Sequence, residues 1–339
     1  MTNRERFHAV MNGDPAVDMY PVIEWATWWD KTIAQWEDAG IPRGMDSDAL
    51  YRYWELDSNI QFWFSPKTPD CPRERSHGSG IMETEADYEK LMPYLYPDPK
   101  EVIESVKPRI ESAMPRYESG ESILWYTLDG FFWNPRTLFG IENHLYAFYD
   151  NEKLYHRICG DLAAWNLAML EEFSMYIKPD FMTFAEDMSY NKGPMVSRAL
   201  YDEFISPYYR RIIPAIKKHG TRVIIDSDGD IQTAVPWFTD AGIEGVLPLE
   251  RQAGVDIAKI RADYPDFLMI GGFDKMCMFK GPAAIHNEFE RLLPVIQSGR
   301  FIPSMDHQTP PGTSIDNYRY YVGQLREYAR FACKGLGLG

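Results

Sequence analysis

The stretch Gly220-Thr221-Arg222-Val223-Ile224-Ile225-Asp226-Ser227-Asp228-Gly229 decides how this chain is read. Arg222 to Ile225 is a short β-branched run, and it stops in a carboxylate-rich turn. Immediately upstream, Ser197 to His219 has helical periodicity. Leu200, Phe204, Ile205, Tyr208, Ile212 and Ile216 fall near i, i+4, i+8 spacing, and Gly220 stops the helix. Downstream, a helix from about Ile231 to Ala241 ends at Gly242. The same unit then recurs. Gly245 to Leu249 is a strand ending in Glu250, and Asp256 caps a helix to about Asp263. Phe267 to Ile270 is a strand ending in Gly271-Gly272-Phe273-Asp274-Lys275, followed by a helix over Pro282 to Ser298. Phe301 to Ser304 ends in Asp306-His307, and the last helix starts after Thr313 and stops before Gly335.

Strand and helix alternating four times, with short connections, argue for parallel strands joined by right-handed crossovers. Four more strand candidates lie upstream: Pro21–Trp25, Ile60–Phe64, Ile123–Leu128 and Phe181–Ala185. Four plus four predicts an α/β fold, a (β/α)8 TIM barrel occupying residues 1–339 as one catalytic domain. An open doubly wound sheet is the alternative, but no GxGxxG follows a strand to support its dinucleotide form. The segment from Pro66 to Lys100 carries Pro66, Pro69, Pro72, Pro93, Pro97 and Pro99. It is too long for a plain connection and reads as an insertion or lid at about 66–100.

Composition narrows the function. Asp plus Glu is 50 and Lys plus Arg is 35, a formal net charge of −15. That sign repels a polyanion, so nucleic acid is not the expected partner. No apolar run approaches the roughly 20 residues that cross a bilayer, and Met1 to Val10 has no apolar core of a secretory signal. The expectation is a soluble, cytoplasmic protein. Cys71, Cys159, Cys277 and Cys333 are far apart and form no CxxC pair, so reduced thiols are expected. The chain has 10 Trp, 21 Tyr and 18 Phe, and six of the Trp fall in the first 64 residues. Rings in such number fill cores, and they also line ligand pockets.

In a barrel, chemistry collects where strands end. The polar residues at these ends are Glu24, Asp129, Glu186 with Asp187, Asp226 with Asp228, Glu250, Asp274 with Lys275, and Asp306 with His307. Nearly all are acidic, which suggests a cation site. Asp226 and Asp228 point the same way if the chain is still extended there, although Asp228-Gly229 also suits a turn. With His307 they make a three-ligand metal set that leaves one position open, and Glu186 is a candidate fourth ligand.

Several motifs resemble the uroporphyrinogen decarboxylase superfamily. They are Asn3-Arg4-Glu5-Arg6-Phe7-His8-Ala9-Val10-Met11-Asn12-Gly13, Glu186-Asp187-Met188-Ser189-Tyr190-Asn191-Lys192-Gly193-Pro194-Met195, Asp226-Ser227-Asp228-Gly229, Gly271-Gly272-Phe273-Asp274-Lys275 and Ile302 to Pro311. The resemblance implies a single (β/α)8 barrel. It also implies one of two chemistries: cofactor-free decarboxylation of a tetrapyrrole, or corrinoid-dependent methyl transfer with zinc. The decarboxylase carries an arginine-rich motif after its first strand, where this chain has Glu24-Trp25-Ala26-Thr27-Trp28-Trp29. The methyltransferases carry a His-x-Cys pair and a later Cys. Asp226-x-Asp228 and His307 fall at comparable places, with oxygen and nitrogen in place of sulfur.

The expectation is therefore a corrinoid-dependent methyltransferase. It would move a methyl group from a small donor, an aromatic methyl ether, to the cobalt of a corrinoid carried by a partner protein. Asp226, Asp228, His307 and Glu186 would hold the metal, zinc by resemblance, as a Lewis acid. Glu186, Asp228, His307 and Lys275 are the expected catalytic residues. Glu24, Trp25, Trp28, Trp29, Phe131 and Trp133 are expected at the substrate. A homodimer is compatible with this reading. The alternatives are decarboxylation of another carboxylic substrate, and a barrel that binds a ligand without turning it over.

Overall fold

A computed structural model describes residues 1–335. Seven strands form one wholly parallel sheet: β1 (Asn59–Trp63), β2 (Ile123–Asp129), β3 (Phe181–Ala185), β6 (Arg222–Asp226), β7 (Gly245–Leu247), β8 (Leu268–Phe273) and β9 (Phe301–Met305), hydrogen-bonded in that order. Between β3 and β6 a two-residue pair, β4 (Ser189–Tyr190) and β5 (Gly193–Pro194), forms a small antiparallel hairpin. Strands β2, β3, β8 and β9 are buried along their whole length. That burial matches their continuous apolar runs, because a parallel sheet is covered on both faces.

The expected first strand, Pro21–Trp25, is not a ladder strand. Residues 21–24 lack regular strand structure, and Pro21 has no N–H to give. Yet this segment touches both outer strands of the sheet. Val22 O accepts from Asp57 N, and Glu24 O accepts from Asn59 Nδ2 beside β1, while Trp25 N donates to Ser304 Oγ of β9. The eighth stave of the barrel is thus present as an irregular segment held largely by side chains.

The helix expected over Ser197 to His219 is broken into Arg198–Phe204 and Ser206–Lys218. Pro207 is the cause: it has no N–H to give to the carbonyl four residues back and its ring crowds that carbonyl, so the ladder breaks at Ile205 and a new helix begins with the proline in its first turn. The helix expected from Ile231 starts later, at Val235. Asp256 caps Ile257–Asp263 as expected, with Oδ1 accepting from Ala258 N and Lys259 N. The N-terminal motif serves the base of the sheet. Arg4 Nε and His8 Nε2 lie 2.6 and 2.7 Å from Asp180 Oδ1, and Leu124 N donates to the other oxygen.

The 66–100 insertion is closed at its base, where Thr68 N donates to Tyr94 O and Tyr96 N to Pro66 O. Its middle docks on the helix Trp133–Phe139, since Ile81 N and Met82 N both donate to Leu138 O. Cys71, Cys159 and Cys277 are free and buried; the side chain of Cys333 lies outside the described residues. Among the described residues no helix is long and apolar enough to cross a membrane.

Candidate active site

The loop after β6 lies at the centre of the strand ends. Asp228 N donates to Asp187 Oδ1 at 3.1 Å, and Gly229 N donates to Glu250 Oε2 at 3.0 Å. Gly229 has φ +83°, and a Cβ there would come within 2.7 Å of the Ser189 backbone. Only glycine suits the turn that aims Asp228. Lys275 Nζ bonds Glu250 Oε1 at 3.1 Å and lies 4.0 Å from Asp306 Oδ1. Asp306 in turn accepts from Arg251 N and Lys275 N. His307 Nε2 lies 3.7 Å from Asp228 Oδ2, close but longer than a hydrogen bond. The Trp25 indole donates to Met305 O at 2.7 Å, two residues before His307.

Crowded carboxylates with little water hold their protons tightly. Burial, then the charges of Asp187 and Glu250, push Asp228 up to about 7. Burial, then Asp187 and Asp228, push Asp226 well above the carboxylate range. Asp306 is pushed up to about 6, chiefly by burial. His307 moves the other way, because burial and the Lys275 ammonium disfavour imidazolium. The centre of the mouth therefore pairs an acid that titrates near neutrality with a neutral imidazole.

Several expected site residues belong to the core instead. Glu24 is fully buried; Oε1 accepts from the Tyr321 hydroxyl, Oε2 has no hydrogen-bond partner among the described residues, and burial raises the carboxyl to about 8. Trp28 is buried among Trp36, Tyr51 and Tyr318, and Phe131 is buried against Tyr208 and Tyr209. Apolar rings in these positions gain more from the core than from the mouth. Trp25 and Trp133 are half-buried and Trp29 is exposed, so these three stay accessible.

Glu186 is also turned inward. Its Oε1 accepts from the Tyr209 hydroxyl at 2.6 Å, and its Oε2 accepts from Phe132 N and Trp133 N at 3.0 and 3.1 Å. Burial raises it to about 8. It fixes the loop that enters the helix Trp133–Phe139 rather than facing a ligand.

The expected metal set is not assembled. Glu186 is committed elsewhere, and among the described residues no three His, Cys, Asp or Glu side chains are grouped to hold one ion. Asp226, Asp228 and His307 do not fit zinc as they stand.

Sequence reading missed a second polar group at the mouth. Lys67 Nζ, in the insertion, donates to Thr137 Oγ1 at 2.6 Å and offsets the charge of Asp129, which burial raises to about 6. Arg136 lies over the Trp133 ring at 5.2 Å and donates to Asp187 O at 3.1 Å. Neither residue follows a strand directly, so a search confined to strand ends passes them by.

A parallel α/β barrel with carboxylates gathered at its strand ends defines the class. Within it, the sequence profile of uroporphyrinogen decarboxylase (URO-D) matches residues 135–328, more than half the chain, and the chain belongs to that family. Among solved structures, a methyltransferase from Methanosarcina mazei is similar, at 13% identity and a TM-score of 0.67, over 97% of this chain and 99% of that one. A vitamin-B12-independent methionine synthase from a Shewanella species matches at 13% identity and a TM-score of 0.41, over 66% of each chain. No curated protein matches.

Proposed function

We propose that this chain is a methyltransferase that demethylates a small aromatic methyl ether and delivers the methyl group to a corrinoid on a partner protein. The observation that carries the reading is Asp228. It is a carboxylic acid titrating near 7 at the centre of the strand ends, beside the neutral His307. Breaking an aryl ether leaves a phenolate, and a proton donor poised near neutrality stabilises that leaving oxygen. The fold of the methyltransferase from Methanosarcina mazei, shared over nearly the full length, supports the same class of reaction. The first loop, Glu24 to Trp29, offers no arginine to a tetrapyrrole polycarboxylate.

In this scheme the bound ring lies against the half-buried Trp133. Asp228, protonated, donates to the ether oxygen as the carbon–oxygen bond breaks, and the phenol leaves neutral. The corrinoid, when bound, supplies the nucleophile that takes the methyl group. Lys275 and Glu250 act on the position of Asp228: the ammonium holds Glu250, and Glu250 holds Gly229 N. The test offers the protein methoxylated phenols or benzoates with a reduced corrinoid protein, and uroporphyrinogen in a parallel reaction. Demethylation in the first, dependent on the corrinoid protein, is expected. Carbon dioxide release from uroporphyrinogen without demethylation contradicts the reading and favours the decarboxylase.

A further inference from the structure

The insertion does more than cover the sheet. Between its loop and the helix Trp133–Phe139 lies a cavity of about 690 Å³. Trp133, Ile81 and Ile141 give it apolar walls. Its charged lining is Lys67, Arg73 and Arg136 against a single carboxylate, Glu74, in a chain whose net charge is −15. The cations are not consumed by neighbours. Lys67 has three N–H donors and one hydroxyl partner, Thr137. Arg73 has no hydrogen-bond or ion-pair partner among the described residues. Arg136 gives one N–H to Asp187 O and so joins this cavity to the loop that holds Asp228.

An apolar slot that ends in spare cations matches one ligand chemistry, a flat ring bearing an anion. We propose that this cavity is a subsite for the carboxylate of an aromatic acid, so that the substrates are methoxylated benzoates rather than neutral methoxylated rings. The proposal rests on the methyl-transfer reading for its reaction but not for its binding. Trp133 stacks on the ring, while Lys67 and Arg73 hold the carboxylate at the insertion end. The Lys67 ammonium is mostly buried, and burial lowers its pKa while Asp129 opposes that shift. An arriving carboxylate supplies an acceptor for the N–H donors that Thr137 leaves free.

The test is calorimetric binding of benzoate, 3-methoxybenzoate and methoxybenzene to the intact protein, with Arg73→Gln and Lys67→Met variants. Both acids are expected to bind at least about tenfold more tightly than methoxybenzene, the worth of one charge-assisted contact. Arg73→Gln should weaken the acids about tenfold and leave methoxybenzene unchanged. Arg73 is exposed and unpaired, so that variant keeps its fold even if Lys67→Met does not. Equal binding of acid and neutral ring, or unchanged benzoate affinity in Arg73→Gln, overturns the subsite. Benzoate has no methyl group to give. Tight binding of the acids with no methyl transfer therefore upholds the subsite and refutes the reaction, whereas transfer from methoxybenzene with no preference for the acid refutes the subsite alone.

Discussion

Asp228 and Glu186 show how one functional group, the carboxyl, takes opposite roles through its surroundings. Asp228 sits on a loop at the mouth, with a side chain 39% exposed, and titrates near 7. If it is the proton donor, Asp228→Asn should lower the demethylation rate by about 10²–10⁴-fold, the usual worth of general acid catalysis. The wild-type rate should fall as pH rises through about 7, and rate profiles of both proteins check this. Stability carries the same signature. The folded state holds the Asp228 proton more tightly than the unfolded chain does, so stability is gained as pH falls through about 7 and lost as pH rises through it. Asp228→Asn should therefore raise Tm more at pH 8 than at pH 5, as thermal melts will show. Glu186, by contrast, has three donors pointed at it and no access to solvent. Glu186→Ala strands a buried hydroxyl and two amides, at a cost of about 1–3 kcal/mol for each unsatisfied group. Denaturant melts should show a severe loss for Ala and a much smaller one for Glu186→Gln.

At the scale of elements, the loop after β6 is set by a backbone requirement. Gly229→Ala meets the Ser189 backbone and a left-handed φ, so roughly 1–3 kcal/mol of strain is expected. Because the same turn aims Asp228, the variant should lose activity along with Tm, and both are read on one preparation. The strand–helix alternation from Arg222 to Met305 was legible because each strand is a short apolar run closed by a carboxylate or glycine. The first stave was legible in place, Pro21–Trp25, but not in form, because Glu24 O and Trp25 N are tied to the side chains of Asn59 and Ser304 rather than into a ladder, which no local pattern announces. The break at Pro207 carried its own signal, the proline inside an otherwise regular helical stripe. Strand-end position found Asp187, Asp228, Glu250, Lys275, Asp306 and His307. It could not tell that Glu186, one residue from Asp187, turns into the core, since a side chain reverses direction with each residue along extended chain.

For the whole molecule, a strongly acidic chain sets three cations, Lys67, Arg73 and Arg136, around one apolar cavity beside an acidic mouth. The two features sit on neighbouring loops, and Arg136 bonds across them. Sequence reading gave the acidic half and the family, but Lys67, Arg73 and Arg136 become a group only when the insertion folds back on the helix after β2. The most direct test of the central claim uses 3-methoxybenzoate labelled with carbon-13 in its methyl group, incubated with the protein and a reduced corrinoid protein, and followed by carbon-13 NMR. The label is expected to leave the ring for the corrinoid protein as one equivalent of 3-hydroxybenzoate forms. A label that stays on the ring while the carboxylate is released as carbon dioxide would contradict the claim.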